Sequence, residues 1–164
     1  MAKTLFSRPR PQHPLGTYWI PVVFFIIHVR IQDESMKTWG ILIVDDDDVV
    51  LAMISEWLTQ SGYRVFTAED VHGALKTFKE HRKEIDLLFS DVKLQHETGF
   101  DLADALERAY GFQDHVFFTS FFWEEDIVEE LLRRGKPYFE KPLKFKQVIL
   151  PFLERYFREK QDAS

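Results

Sequence analysis

Ile41-Leu42-Ile43-Val44-Asp45-Asp46-Asp47-Asp48 is the stretch on which the reading of this chain turns. A short β-branched apolar run predicts a buried strand, and the C-terminal end of such a strand is where α/β sheets carry their ligand crevice. Carboxylates crowded at a strand tip repel one another unless positive charge sits among them. A hard divalent cation such as Mg²⁺ prefers carboxylate oxygen and keeps several of its waters. The run therefore predicts a metal-dependent site for phosphate chemistry.

Outward from this run, strand-like and helix-like segments alternate. Val49–Gln60 carries Val50, Met53, Ile54, Trp57 and Leu58 at the spacing of one helical face, and Ser61-Gly62 predicts its stop. Arg64–Thr67 reads as a short strand. Asp70 is placed to cap a helix with Ala74, Leu75 and Phe78 on its inner face. Ile85–Phe89 reads as a second buried strand ending at Ser90-Asp91, and Gly99–Tyr110 as a helix with Phe100, Leu102, Ala103 and Leu106 inward. Val116–Phe118 is a strand ending at Thr119-Ser120. Glu124–Arg134 is an acidic helix with Ile127, Val128, Leu131 and Leu132 along its apolar stripe. Tyr138-Phe139 is the fifth strand, ending at Lys141-Pro142. Lys144–Glu159 is the last helix, which Pro151 should kink or split. Five β/α units in succession predict an α/β fold with a five-stranded parallel sheet, doubly wound and covered on both faces.

Composition agrees with one domain of this kind. The chain has 164 residues, 45% of them apolar, with 16 phenylalanines to build a bulky core. Its net charge of −6 argues against a nucleic-acid binder relying on a broad basic surface. With no cysteine there is no disulfide framework, thiolate metal site or cysteine nucleophile, which fits a cytoplasmic protein. Residues 1–35 differ from the rest: they are net basic and hold Pro9, Pro11, Pro14 and Pro21. The apolar run from Tyr18 to Val29 is shorter than the roughly 20 residues a bilayer span needs, and Pro21 interrupts it. Met36 directly precedes the domain. Residues 1–37 are read as an N-terminal extension with Met36 as the biological start, 38–160 as the domain and 161–164 as a tail. A membrane-associating or partner-binding arm is the competing reading of residues 1–35.

Polar residues stand at the C-terminal ends of four apolar strands: Asp45 and Asp46, Asp91, Thr119 and Lys141. In a parallel sheet these ends share one edge, so residues far apart in sequence converge. Carboxylates hold the cation, another carboxylate attacks phosphorus, a hydroxyl bonds a phosphoryl oxygen and an ammonium balances charge. Phosphoryl transfer needs little more than in-line positioning and charge neutralisation. Each residue alone has a duller account, as helix-start acid, turn residue, packed strand end or surface charge. All of them together, each at a strand end, do not.

From about Thr38 to Lys160 the chain resembles the receiver domain of two-component response regulators, which have a flavodoxin-like fold. The matching pieces are ILIVDDDD, LLFSD followed eight residues later by Gly99, VFFTS, and FEKP. The resemblance implies that Asp45 and Asp46 bind Mg²⁺, that Asp91 accepts a phosphoryl group, and that Thr119 and Lys141 sense the product. It implies that the backbone carbonyl of Lys93 completes the metal shell and that Tyr138 follows Thr119 inward as the switch aromatic. It also implies a sensor histidine kinase or histidine phosphotransfer protein as donor, and a signalling switch with self-catalysed transfer and autodephosphorylation. The switched surface, from about Glu124 to Phe157, would dock a downstream protein target or a second copy of the chain. No nucleic-acid partner, membrane span or output domain is expected within this chain. Asp47 and Asp48 lie beyond the strand tip, where one of them is expected to cap the first helix.

Two departures stand out. Leu94-Gln95 replaces the usual Met-Pro of the loop after Asp91, and Lys93 precedes it. An ammonium there, near the phosphoryl group, predicts slow autodephosphorylation; a Lys93 that points to solvent predicts none of this. Phe121-Phe122-Trp123 predict some exposed apolar surface, for docking a partner or packing on the next helix. The rival from another class is a haloacid-dehalogenase-type phosphohydrolase, whose Asp-x-Asp signature Asp45 and Asp47 satisfy, with Asp45 as nucleophile and Asp47 as general acid. It lacks a further acidic pair beyond the lysine and leaves Asp91 unexplained.

Overall fold

The apolar runs pair into one parallel sheet of order β2-β1-β3-β4-β5. A computed structural model of the protein describes residues 37–120 and 124–163. In chain order the elements are β1 (Gly40–Val44), α1 (Asp48–Gln60), β2 (Arg64–Ala68), α2 (Val71–His81), β3 (Leu87–Asp91) and α3 (Gly99–Tyr110). They continue with β4 (His115–Thr119), α4 (Glu125–Arg134), β5 (Tyr138–Glu140), a π turn (Phe145–Ile149) and α5 (Leu150–Asp162). β1, β3 and β4 are buried along their whole length, as continuous apolar runs at the centre of a parallel sheet must be. β2 and β5 form the edges and keep exposed positions.

Strand alternation divides the core in two. Leu42, Val44, Leu88 and Phe117 face α2, α3 and α4. Ile41, Ile43, Leu87, Phe89, Val116 and Phe118 face α1 and α5. Each fully buried aliphatic or aromatic side chain here contributes about 1.5–3 kcal/mol relative to exposure. The inner face of α1 is Leu51, Ile54 and Leu58: Ile54 and Leu58 are buried as predicted, Val50 and Trp57 pack half-buried against the same core, and Leu51 joins the stripe. In α4 only Ile127 and Leu131 are buried, and Leu132 is 63% exposed, contrary to its expected inward place. The third strand begins at Leu87 and not at Ile85: Asp86 N still donates to Gly40 O (2.8 Å), but Gly40 N is taken by the Asp86 carboxylate (2.9 Å), which also accepts from Lys37 Nζ (2.5 Å).

Helix starts follow the local chemistry. Asp47 caps α1, accepting from the amides of Val49 and Val50, and Asp70 caps α2 through Gly73 N. Thr98 and Asp101 form a reciprocal capping box at α3. Gly62 follows α1 at φ 89°, the left-handed conformation its position predicted. Pro151 does split the last helix. It has no N–H to donate, and its ring crowds the carbonyl four residues back. The chain answers with a π turn over Phe145–Ile149, after which α5 runs regularly with proline in its first turn. Tyr156 Oη and Lys160 Nζ both bond the Asp114 carboxylate, tying α5 to the N-terminal edge of the sheet. Among the described residues no helix is long and apolar enough to cross a membrane. The expectations for residues 1–35 and for Phe121-Phe122-Trp123 lie outside the described residues.

Candidate functional site

At the C-terminal edge of the sheet, carboxylate oxygens of Asp45, Asp46 and Asp91 lie within 4.8 Å of one another. The strands place two of them by alternation. Asp45 stands two residues after Ile43 and Asp91 two after Phe89, so both follow the α1/α5 face. Asp45 is fully buried and Asp91 is 5% exposed, whereas Asp46 is open to solvent. Lys141 follows β5 and reaches across β4 to both. Its Nζ donates to Asp45 Oδ2 at 2.9 Å and to Asp91 Oδ2 at 2.6 Å, and lies 5.0 Å from the Phe118 ring centre. Asp45 Oδ1 accepts from Asp47 N at 2.9 Å. Asp91 Oδ1 is buried without a hydrogen-bond partner among the described residues.

Burial dominates the electrostatics. It pushes the Asp91 carboxyl up to about 6, against the pull of Lys141, and the nearby Asp45 charge adds to the rise. Asp45 is raised by burial too, again opposed by Lys141. Burial works against the Lys141 ammonium, but its two carboxylate partners outweigh it and hold its pKa above the ordinary lysine range. Two buried carboxylates sharing one ammonium carry excess negative charge. That excess, the three convergent oxygens and the unpartnered Asp91 Oδ1 fit a hard divalent cation.

Thr119 is fully buried at the end of β4, and its carbonyl accepts from Lys141 N at 2.9 Å. It follows Phe117 by two residues, on the α3/α4 side of the sheet. Tyr138 pairs in register with Phe117 on that same side and is 36% exposed. Thr119 and Tyr138 thus share a face, one strand apart. Lys93 does not simply point to solvent. It pairs with the Glu124 carboxylate at 2.6 Å, just before α4. Glu124 drew attention in the sequence only as a helix start. No spacing rule links residues 31 apart, so nothing in the sequence signalled this pair. Gly99 is fixed by close approach: a Cβ there would lie 2.2 Å from the Asp91 carbonyl oxygen and 2.7 Å from Ser90 Oγ.

The family model described as the response regulator receiver domain matches residues 41–150, well over half of the chain. The chain belongs to that family. Among curated proteins, this receiver is 28% identical over 124 residues to the two-component response regulator PprB of Pseudomonas aeruginosa, covering 74% of the chain and 44% of PprB. Among solved structures it is similar to the chemotaxis protein CheY4 of Vibrio cholerae, with 28% identity and a TM-score of 0.63, over 72% of this chain and 98% of that one. A response regulator receiver domain protein from Clostridium thermocellum, 22% identical, shares the fold with a TM-score of 0.65, over 75% and 98% of the two chains. The chain spans less than half the length of the first curated relatives it matches. The five-stranded, doubly wound receiver fold is that of these neighbours. Receivers as a family bind Mg²⁺ at an acidic pocket, and the carboxylate cluster here is of that kind. The phosphohydrolase reading falls with the family match. Its required general acid, Asp47, spends its carboxylate on the amides of Val49 and Val50.

Proposed function

We propose that this receiver accepts a phosphoryl group on Asp91 from a phosphohistidine protein, a sensor histidine kinase or a histidine phosphotransfer protein, and so switches a protein-docking face. The observation that carries the reading is the asymmetry of Asp91. Lys141 fixes one carboxylate oxygen, while the other is buried and unpartnered, in a residue whose carboxylate belongs to the acidic cluster. At neutral pH a carboxyl with a pKa of about 6 is mainly ionised and able to attack. The Asp91 oxygen forms the new O–P bond as the donor P–N bond breaks. Its electron pair leaves with the imidazole, which then takes a proton from water.

Asp45, Asp46, Asp91 and the Lys93 backbone carbonyl would hold Mg²⁺, which when bound neutralises charge on the transferring phosphoryl group. Lys141 then pairs with the phosphoryl charge and the Thr119 hydroxyl donates to a phosphoryl oxygen. Tyr138 moves inward behind Thr119, and the face of α4, β5 and α5 changes its surface. That face docks a downstream protein target or a second copy. The receiver, about residues 38–160, works in the cytoplasm as a switch with self-catalysed phosphoryl transfer and autodephosphorylation.

The test is labelling of the full chain with acetyl phosphate and Mg²⁺, followed by mapping of the acyl phosphate. One label at Asp91, lost in Asp91→Asn and without added Mg²⁺, is the expected result. A label at Asp45, or none, overturns the assignment.

A further inference from the structure

α4 is held at two places. At its C-terminal end Arg134 makes a bidentate pair with Asp104 (2.7 and 2.9 Å), and its guanidinium lies 4.8 Å from the Phe100 ring centre. At its start stands Glu124, the N-cap residue, whose backbone carbonyl accepts the first helical bond from Val128 N (3.1 Å). A short Asp or Asn at this position would cap the helix by accepting from the second or third amide, which the longer glutamate does less readily. Here it makes no such bond and gives Oε1 to Lys93 Nζ at 2.6 Å. The other anchors of the first turns are Ile127 and Leu131, the two buried residues of the helix.

Lys93 has a stiff base. Gly99 N donates to Val92 O (2.9 Å) and Leu94 N to Glu97 O (3.1 Å), and Lys93 bridges Thr98, which caps α3. Its Cα lies two residues after Asp91. The same side chain is therefore within the loop that would receive the new charge and bonded to the residue that starts the neighbouring helix. Phosphorylation raises the negative charge at position 91 by roughly one unit and adds strong acceptor oxygens. An ammonium shared between a carboxylate and a phosphoryl group shifts toward the phosphoryl group.

We infer that the Lys93–Glu124 pair is a latch on α4: it holds the start of the helix in the unphosphorylated receiver, and phosphorylation of Asp91 opens it by drawing Lys93 away from Glu124. Glu124 is a positioning residue for the switch, acting through Lys93, and this route to α4 is separate from Thr119 and Tyr138. The inference rests on Asp91 as the phosphoacceptor. The pair is half exposed, with side chains 41% and 29% accessible, so its worth is that of a partly screened ion pair. Opening it lowers amide protection in the first turns of α4 by about two- to fivefold.

Hydrogen exchange of the amides from Val128 to Leu131 tests the latch, on the full chain with Mg²⁺, with and without acetyl phosphate, while the Asp91 label is measured in parallel. In the natural protein, protection falls on phosphorylation. In Lys93→Met and in Glu124→Gln it is already low at rest, and the fall on phosphorylation is smaller than in the natural protein. The charge swap Lys93→Glu with Glu124→Lys restores the resting protection but not the response, because a carboxylate at position 93 is repelled by the phosphoryl group and not drawn to it. Asp91 labelling with α4 protection indifferent to both single variants overturns the latch and leaves the phosphoacceptor reading standing. Absence of any label in the natural protein removes both.

Discussion

Replacing Lys141 by methionine removes the one ammonium that Asp45 and Asp91 share while keeping the bulk of the stem over Phe118. Breaking a buried ion pair from one side costs about 3–5 kcal/mol when the stranded charge has no escape. Here Asp91 has one, because it can take up a proton. The wild-type fold at about pH 7.5 already carries about 3 kcal/mol of cost from an Asp91 pKa of about 6 against 3.8 unfolded. Protonating Asp91 outright at that pH costs about 5 kcal/mol, so the Asp91 share of the loss is capped at about 2 kcal/mol. Asp45 loses its 2.9 Å bond to the ammonium, adding about 1–2 kcal/mol. The expected loss is therefore about 3 kcal/mol near neutral pH. The sign with pH is fixed by the raised pKa. Asp91 loses stability for the fold as pH rises through its folded value, and in Lys141→Met that loss continues to higher pH. Near pH 5 Asp91 is protonated in both proteins and only about 1 kcal/mol should remain. Urea unfolding at the two pH values, with Asp91→Asn added to each background, measures this directly. A loss that is the same at both pH values, or that survives unchanged in the Asp91→Asn background, refutes the reasoning.

Three further substitutions probe the scaffold that carries the site. His115 is 4% exposed at the start of β4, its Nε2 has no partner among the described residues, and burial lowers its pKa to about 4 from 6.5. The unfolded chain then binds the extra proton first, so stability present above about pH 6.5 is lost as pH falls toward 4, by up to about 3 kcal/mol. His115→Phe should flatten that acid limb in pH-dependent unfolding; a limb of unchanged slope contradicts the assignment. Gly99→Ala should destabilise the fold by about 1–3 kcal/mol through the clash with the Asp91 carbonyl, and should slow acetyl phosphate labelling as well. Gly62→Ala, strained at φ 89° but with open space around it, should cost about 1–2 kcal/mol and leave labelling untouched. Equal labelling rates in both variants would falsify the positioning role of Gly99.

Most of the architecture was legible along the chain because its signals are local. The bounds of α3 match its apolar stripe from Gly99 to Tyr110, and Pro151 splits the last helix as its chemistry demands. Local signals failed where a partner distant in sequence decided the outcome. The Asp86 carboxylate took the Gly40 amide and Lys37, so the third strand starts at Leu87 and not at Ile85, and Leu132 was left outside because α4 buries only a narrow stripe. The site was legible as a set of residues, since a parallel sheet brings every strand's C-terminal end to one edge. Its internal wiring was not.

The run of four aspartates shows where that division falls. The sequence by itself determined the strand before them, the acidic edge it leads to, and the cap that a carboxylate just past a strand tip provides, because each depends on a few neighbouring residues. Tertiary structure alone decided that Asp45 is buried against Lys141, 96 residues away. It alone decided that Asp91 keeps one oxygen without a partner and that Lys93 is bound to Glu124. The physical reason is range. Propensity and periodicity act over a few residues, whereas desolvation and charge pairing depend on what the packed sheet places within a few ångströms, however far apart along the chain.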